Sequence, residues 1–124
     1  MDVRNINVLV LAYLGDTIYE YYVRKYLINK YSNVNDLQSN SIKYVSARGQ
    51  KEFVLKLIHE GFFNEEEMDV IKRARNNTSS SHPKNCDIVT YKYATGLEAL
   101  IGYLELVNKK DRIDEIMNKI LGDN

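Results

Sequence analysis

Apolar side chains recur every three to four positions along nearly the whole chain, and no stretch alternates apolar with polar residues as a half-buried strand would. This pattern predicts an all-α fold. A first helix spans roughly Asn5 to Asn29, and its apolar run from about Val8 to Leu27 is broken midway, in LAYLGDTIYE, by Gly15 and Asp16. After the polar NKYSNVND, where Asn33 or Asn35 can cap, apolar residues at Leu37, Ile42, Tyr44, Val45, Phe53, Val54, Leu57 and Ile58 lead to Gly61. That length predicts two helices with a bend near Ser41 or Gly49. NEEEMDVIKRAR opens with Asn64 as cap and Glu67 at the third helical position, a capping-box start with acidic residues at the positive helix end. A loop from Asn76 to Asp87 follows, then the long apolar IVTYKYATGLEALIGYLELV and an amphipathic DRIDEIMNKIL ending at Gly122.

With 124 residues and no repeat, linker or low-complexity tail, residues 1–124 read as one domain. No apolar run approaches the roughly 20 residues that cross a bilayer, and the first residues lack the basic and apolar regions of a signal peptide. A soluble, cytoplasmic protein is expected, with no membrane partner. Cys86 is the single cysteine and has no partner at zinc-ligand spacing. His59 and His82 belong to no nucleophilic arrangement, and there is no glycine-rich phosphate loop. The ten tyrosines, with no tryptophan, read first as amphipathic packing residues.

Seventeen basic residues balance seventeen acidic ones, so any nucleic-acid contact must come from local asymmetry. Such asymmetry exists. From Ile71 to Cys86 no acidic residue occurs, while Lys72, Arg73, Arg75 and Lys84 are basic and Asn76 and its polar neighbours can donate hydrogen bonds. Phosphate and sugar contacts suit such a segment, although a charged helix end running into a polar loop is also common solvated structure. Lys43, Arg48 and Lys51 either extend this patch or form a separate solvated face.

Two places break the local rules. An interior glycine costs a helix about 1 kcal/mol relative to alanine, and Asp16 beside it faces an apolar stripe. Glu98 is the second breach, set among Leu97, Ala99, Leu100 and Ile101 with Gly96 and Gly102 on either side. Two buried carboxylates repel unless they share a cation, and Mg²⁺ is the usual choice for oxygen ligands. The glycines would let helices, or a substrate backbone, approach closely. The plain alternative pairs Asp16 with an arginine and turns Glu98 to solvent. Glu20, one turn beyond Asp16, either supports the same site or pairs with Arg24.

Taken together, LAYLGDTIYEYYVRKYL resembles the signature helix of the ribonuclease III catalytic domain, and YKYATGLEALIGYL resembles its second acidic motif. NDLQSNSIKYVSARGQ and RARNNTSSSHPKNCDIVTYKY are similar to the corresponding segments of the Mini-ribonuclease III group, which lacks the double-stranded-RNA-binding domain. The resemblance covers about Asn7 to Leu121. It implies an all-α endoribonuclease working as a homodimer on double-stranded RNA with Mg²⁺, leaving 5′-phosphate and 3′-hydroxyl ends. It further implies maturation of the 23S ribosomal RNA precursor, with ribosomal proteins or pre-ribosomal particles as candidate partners.

Matched residue by residue, Asp16 takes the place of the catalytic aspartate and Glu98 that of the metal-binding glutamate. Glu20 and Thr95 are candidates for supporting them. Arg73, Arg75, Asn76 and Lys84 are the candidate RNA contacts. Full-length ribonuclease III carries further acidic residues where this chain has Leu9, Ala12 and Thr95. The Mini group shows similar losses, and with fewer protein ligands, waters and RNA phosphates must complete the coordination of Mg²⁺. Two rival readings are a catalytically silent RNA- or ribosome-binding module of the same fold, and a helical protein-interaction domain.

Overall fold

A computed structural model describes residues 2–77 and 84–122. After a 3-10 turn at Val3–Asn5 come α1 (Val8–Leu27), α2 (Val34–Val45), α3 (Ala47–His59), α4 (Glu65–Arg75), α5 (Ile88–Leu106) and α6 (Lys110–Leu121). The expected all-α class is thus observed, with no strand among the described residues.

Polar caps set the helix limits. Asn7 accepts the Leu9 N–H at 2.7 Å, so α1 begins at Val8 and not at Asn5. Asn33 accepts the Asp36 N–H at 2.9 Å and starts α2. The break expected near Ser41 or Gly49 falls at Ser46, whose extended backbone (φ −68, ψ 152) ends α2 while its hydroxyl caps α3 through the Gly49 N–H at 3.1 Å. The capping box of Asn64 and Glu67 is present on α4. Asp87 accepts the Thr90 N–H at 2.8 Å at the head of α5. Residues 78–83 of the expected loop, His82 among them, lie outside the described residues.

The centre of the molecule is α5. Leu97, Ala99, Leu100 and Ile101 lie on different sides of it and are all fully buried, which is what a helix apolar all round must achieve. It packs against α1, α3 and α4, while α6 adds Ile113, Ile116, Met117 and Ile120 to the core.

At Gly15 and Gly102 the main chains of α1 and α5 touch. A β-carbon on Gly15 would lie 1.6 Å from the Glu98 carbonyl oxygen, and one on Gly102 would lie 2.0 Å from the Leu11 carbonyl oxygen. Of the two uses open to these glycines, the crossing of helices is the one the fold employs.

Glu67 has a second task besides capping. Its carboxylate is 1% exposed and meets the Arg112 guanidinium through Nε at 2.7 Å and Nη2 at 2.8 Å. Arg112 Nη2 also donates to the Phe62 carbonyl at 2.8 Å. This fork satisfies a buried charge that would otherwise be costly and ties α6 to the start of α4.

Candidate active site

The close crossing of α1 and α5 dictates what lies beside it. Asp16 follows Gly15, and the carbonyl that Gly15 touches is that of Glu98, so two carboxylates distant in sequence are brought to one place. Contrary to the expectation of two buried carboxylates, Asp16 is exposed, and Glu98 is half-buried. Their proximity shows in the acidity of Glu98, whose pKa rises from 4.5 to about 8. Burial is the largest cause, the Asp16 charge the next; a proton on Glu98 is further held in a hydrogen bond to Asp16. The Glu20 charge adds to the same effect.

One group opposes this rise. The Gln50 amide, 3% exposed on α3, donates from Nε2 to Glu98 Oε2 at 3.2 Å. Nearby, the buried Tyr19 hydroxyl donates to the Tyr44 carbonyl at 2.5 Å. Its pKa is raised by burial first and by the Glu98 charge second.

Among the described residues no lysine or arginine pairs with Asp16 or Glu98. The plain alternative of an Asp16–arginine pair is therefore not what the fold contains. Nor do three or more acidic, histidine or cysteine residues converge as a complete metal cage among the described residues. Two carboxylates without a cation still fit Mg²⁺, which is bound through one or two protein carboxylates and keeps waters and substrate phosphates for the rest.

The remaining candidates divide. Glu20 is half-buried and does both things foreseen for it, accepting from Arg24 Nη2 at 2.8 Å while its charge reaches Glu98. Thr95 is buried and lines a small hollow with Leu9, Ala74, Asn77, Tyr91 and Lys92, so two of the positions that are acidic in full-length ribonuclease III share a niche whose lining holds no carboxylate.

Arg73 is half-buried, and its Nη2 donates to the Ile6 carbonyl at 2.8 Å, holding the N-terminal segment. Arg75, Asn76 and Lys84 are exposed. Lys51 turns toward Thr90, with Nζ at 3.5 Å from its hydroxyl oxygen.

Sequence reasoning missed Gln50. The signal was there, since Gln50, Val54 and Leu57 fall on one face of α3 and the latter two are buried. A polar residue on an apolar stripe is the same kind of breach as Asp16.

The model of the Ribonuclease III domain matches residues 9–109. The chain belongs to the ribonuclease III family. Within it, the chain is similar to the Mini-ribonuclease 3 of Clostridium tetani, 43% identical over 122 residues, covering 97% of this chain and 80% of that protein. The Mini-ribonuclease 3 of Staphylococcus aureus is 40% identical over 120 residues, covering 96% and 90%. A crystal structure of a Fusobacterium nucleatum protein superposes with a TM-score of 0.85 at 35% identity, covering 97% of this chain and 95% of the other. The resemblance drawn from the four sequence motifs is thereby established, and with it an endoribonuclease, a hydrolase acting on RNA. The silent-module and protein-interaction readings fall away.

Proposed function

We propose that this ribonuclease III-type enzyme cleaves double-stranded RNA with Asp16 and Glu98 as its catalytic, Mg²⁺-holding pair, and that its physiological substrate is the 23S ribosomal RNA precursor. The observation that supports this most is the meeting of two carboxylates, one exposed and one half-buried, with no basic side chain among the described residues to neutralise them. Mg²⁺, when bound, supplies the charge that acidifies a water and offsets the negative charge growing on the phosphodiester and its leaving 3′-oxygen.

The chain's residues do the rest. Asp16, at the surface, presents its carboxylate where a phosphate and water can reach it. Glu98, recessed and flanked by Gln50, contributes an oxygen from a less hydrated position. Exposed Arg75, Asn76 and Lys84 lie at the edge of the basic segment and contact phosphates and sugars of the duplex. Arg73 is left to its structural contact with Ile6.

Val10, Tyr13 and Tyr21 on α1 and Ile28 just past its end are exposed at 57%, 84%, 58% and 62% and form one stripe along this helix. A stripe of this kind suits a two-fold partner. In the homodimer, two copies of the carboxylate pair face the two strands of one duplex. Cytoplasmic placement accords with this substrate, and among the described residues no helix is long and apolar enough to cross a membrane. Pre-ribosomal particles or ribosomal proteins would then be its neighbours.

Duplex RNA incubated with wild type and with Asp16→Asn, with and without Mg²⁺, tests the reading. Cleavage is expected from wild type with metal alone, leaving 5′-phosphate ends. Undiminished cutting by the variant would overturn it.

A further inference from the structure

Gln50 is polar and 3% exposed, and capping, packing and the phosphate chemistry above leave it without a task. Its place is strictly determined. Gly49, just before it, packs so closely on α2 that a β-carbon would lie 1.9 Å from the Lys43 carbonyl oxygen. The Gly49 N–H is held by the Ser46 hydroxyl at 3.1 Å and the Gln50 N–H by the Ser46 carbonyl at 2.9 Å. Backbone and helix start are thus fixed before the side chain is placed, and the amide reaches Glu98 Oε2 from Nε2 at 3.2 Å.

We propose that Gln50 is a positioning residue for divalent-ion capture: its buried amide fixes the Glu98 carboxylate by occupying one oxygen, leaving the carboxylate's charge for the ion. This rests on the reading that Asp16 and Glu98 hold the metal.

The choice of amide has a chemical reason. A glutamate side chain turns about several bonds, and ordering it at the moment of binding costs roughly 1–2 kcal/mol of rotamer entropy. A donor already in place meets that cost on folding. Lysine or arginine could also hold the carboxylate, but its charge would neutralise Glu98 and compete with the cation. A neutral N–H donor orients without neutralising. Hydrogen bonds to ligating carboxylates commonly change metal affinity or activity by about 10–100-fold.

The test uses the whole chain and Mn²⁺, whose free form is counted by electron paramagnetic resonance without RNA or turnover. Gln50→Met keeps the length and bulk of the side chain and removes the donor. Gln50→Asn keeps an amide but withdraws it by one methylene, giving the same comparison in a second background. Both are expected to bind Mn²⁺ about tenfold more weakly than wild type. Their affinity for duplex RNA in the absence of divalent ion should match wild type, and raising Mg²⁺ should restore cleavage toward the wild-type rate.

Wild-type Mn²⁺ affinity in both variants overturns the positioning role. Weaker RNA binding without metal, in step with the loss of Mn²⁺, overturns it as well, since general damage would then be the cause. Glu98→Gln separates this from failure of the underlying site: if it binds Mn²⁺ like wild type, the metal reading itself is wrong. If it loses the ion while the Gln50 variants do not, only the positioning role is lost.

Discussion

Gly15→Ala is a substitution whose sign the structure decides. At an unconstrained interior helix position, replacing glycine by alanine stabilises by about 1 kcal/mol. Here the new β-carbon would lie 1.6 Å from the Glu98 carbonyl oxygen, 2.6 Å from its carbonyl carbon and 2.8 Å from the Gly102 nitrogen. Carbon and oxygen normally rest at least about 3.3 Å apart, so α1 would have to withdraw from α5 by nearly 2 Å. None of the three atoms belongs to a side chain that could rotate away.

Overpacking of this kind costs typically about 1–3 kcal/mol, occasionally more, and a backbone collision belongs at the upper end. Net destabilisation of about 2 kcal/mol remains after the propensity gain, or a fall in melting temperature on the order of 8 °C for a domain of this size. Urea and thermal melts at one fixed protein concentration measure it, the concentration being held because dimerisation would otherwise shift the result. Metal binding should fall as well, because Asp16 travels with α1 while Glu98 stays on α5. A Gly15→Ala protein as stable as wild type, or more so, would refute the close crossing.

Acidity and the basic segment give further expectations. With its folded pKa raised to about 8 from 4.5, Glu98 holds a proton that the unfolded chain has already released at neutral pH. Its contribution to metal-free stability is therefore full below about pH 4.5 and is lost as pH rises through 8. Glu98→Gln should gain on wild type steadily between those limits in urea melts without metal, whereas a pH-independent difference would contradict the shift. Arg75→Ala with Lys84→Ala should weaken duplex binding and make it less sensitive to salt, the logarithmic slope falling by about one for each phosphate no longer neutralised. Arg73→Ala should instead lower the melting temperature and leave the salt dependence intact, because its guanidinium holds the Ile6 carbonyl.

Whatever was legible in the chain before folding is local or carried by ordered motifs. Helical periodicity yielded the all-α class, Asn33 and Asn64 marked helix starts, and four motifs in order pointed to the family. Glu98 was visible because a carboxylate among apolar neighbours conflicts with them, and Asp16 because it follows an interior helix glycine, although its side chain proves exposed and not buried. The break between α2 and α3 was misplaced because a hydroxyl that can cap is not distinguished from one that merely faces water until the backbone turns at Ser46.

Which partners those side chains take is settled by packing in three dimensions. That Gly15 meets the Glu98 backbone, that Arg73 holds Ile6, that Glu67 binds Arg112 besides capping, and that Gln50 reaches Glu98 are all contacts between distant segments. Periodicity reports which face of a helix is buried, whereas crossing angle and depth follow from how all the faces pack at once. Within that packing, the absence of two β-carbons sets how near α1 comes to α5, and hence whether two like charges meet.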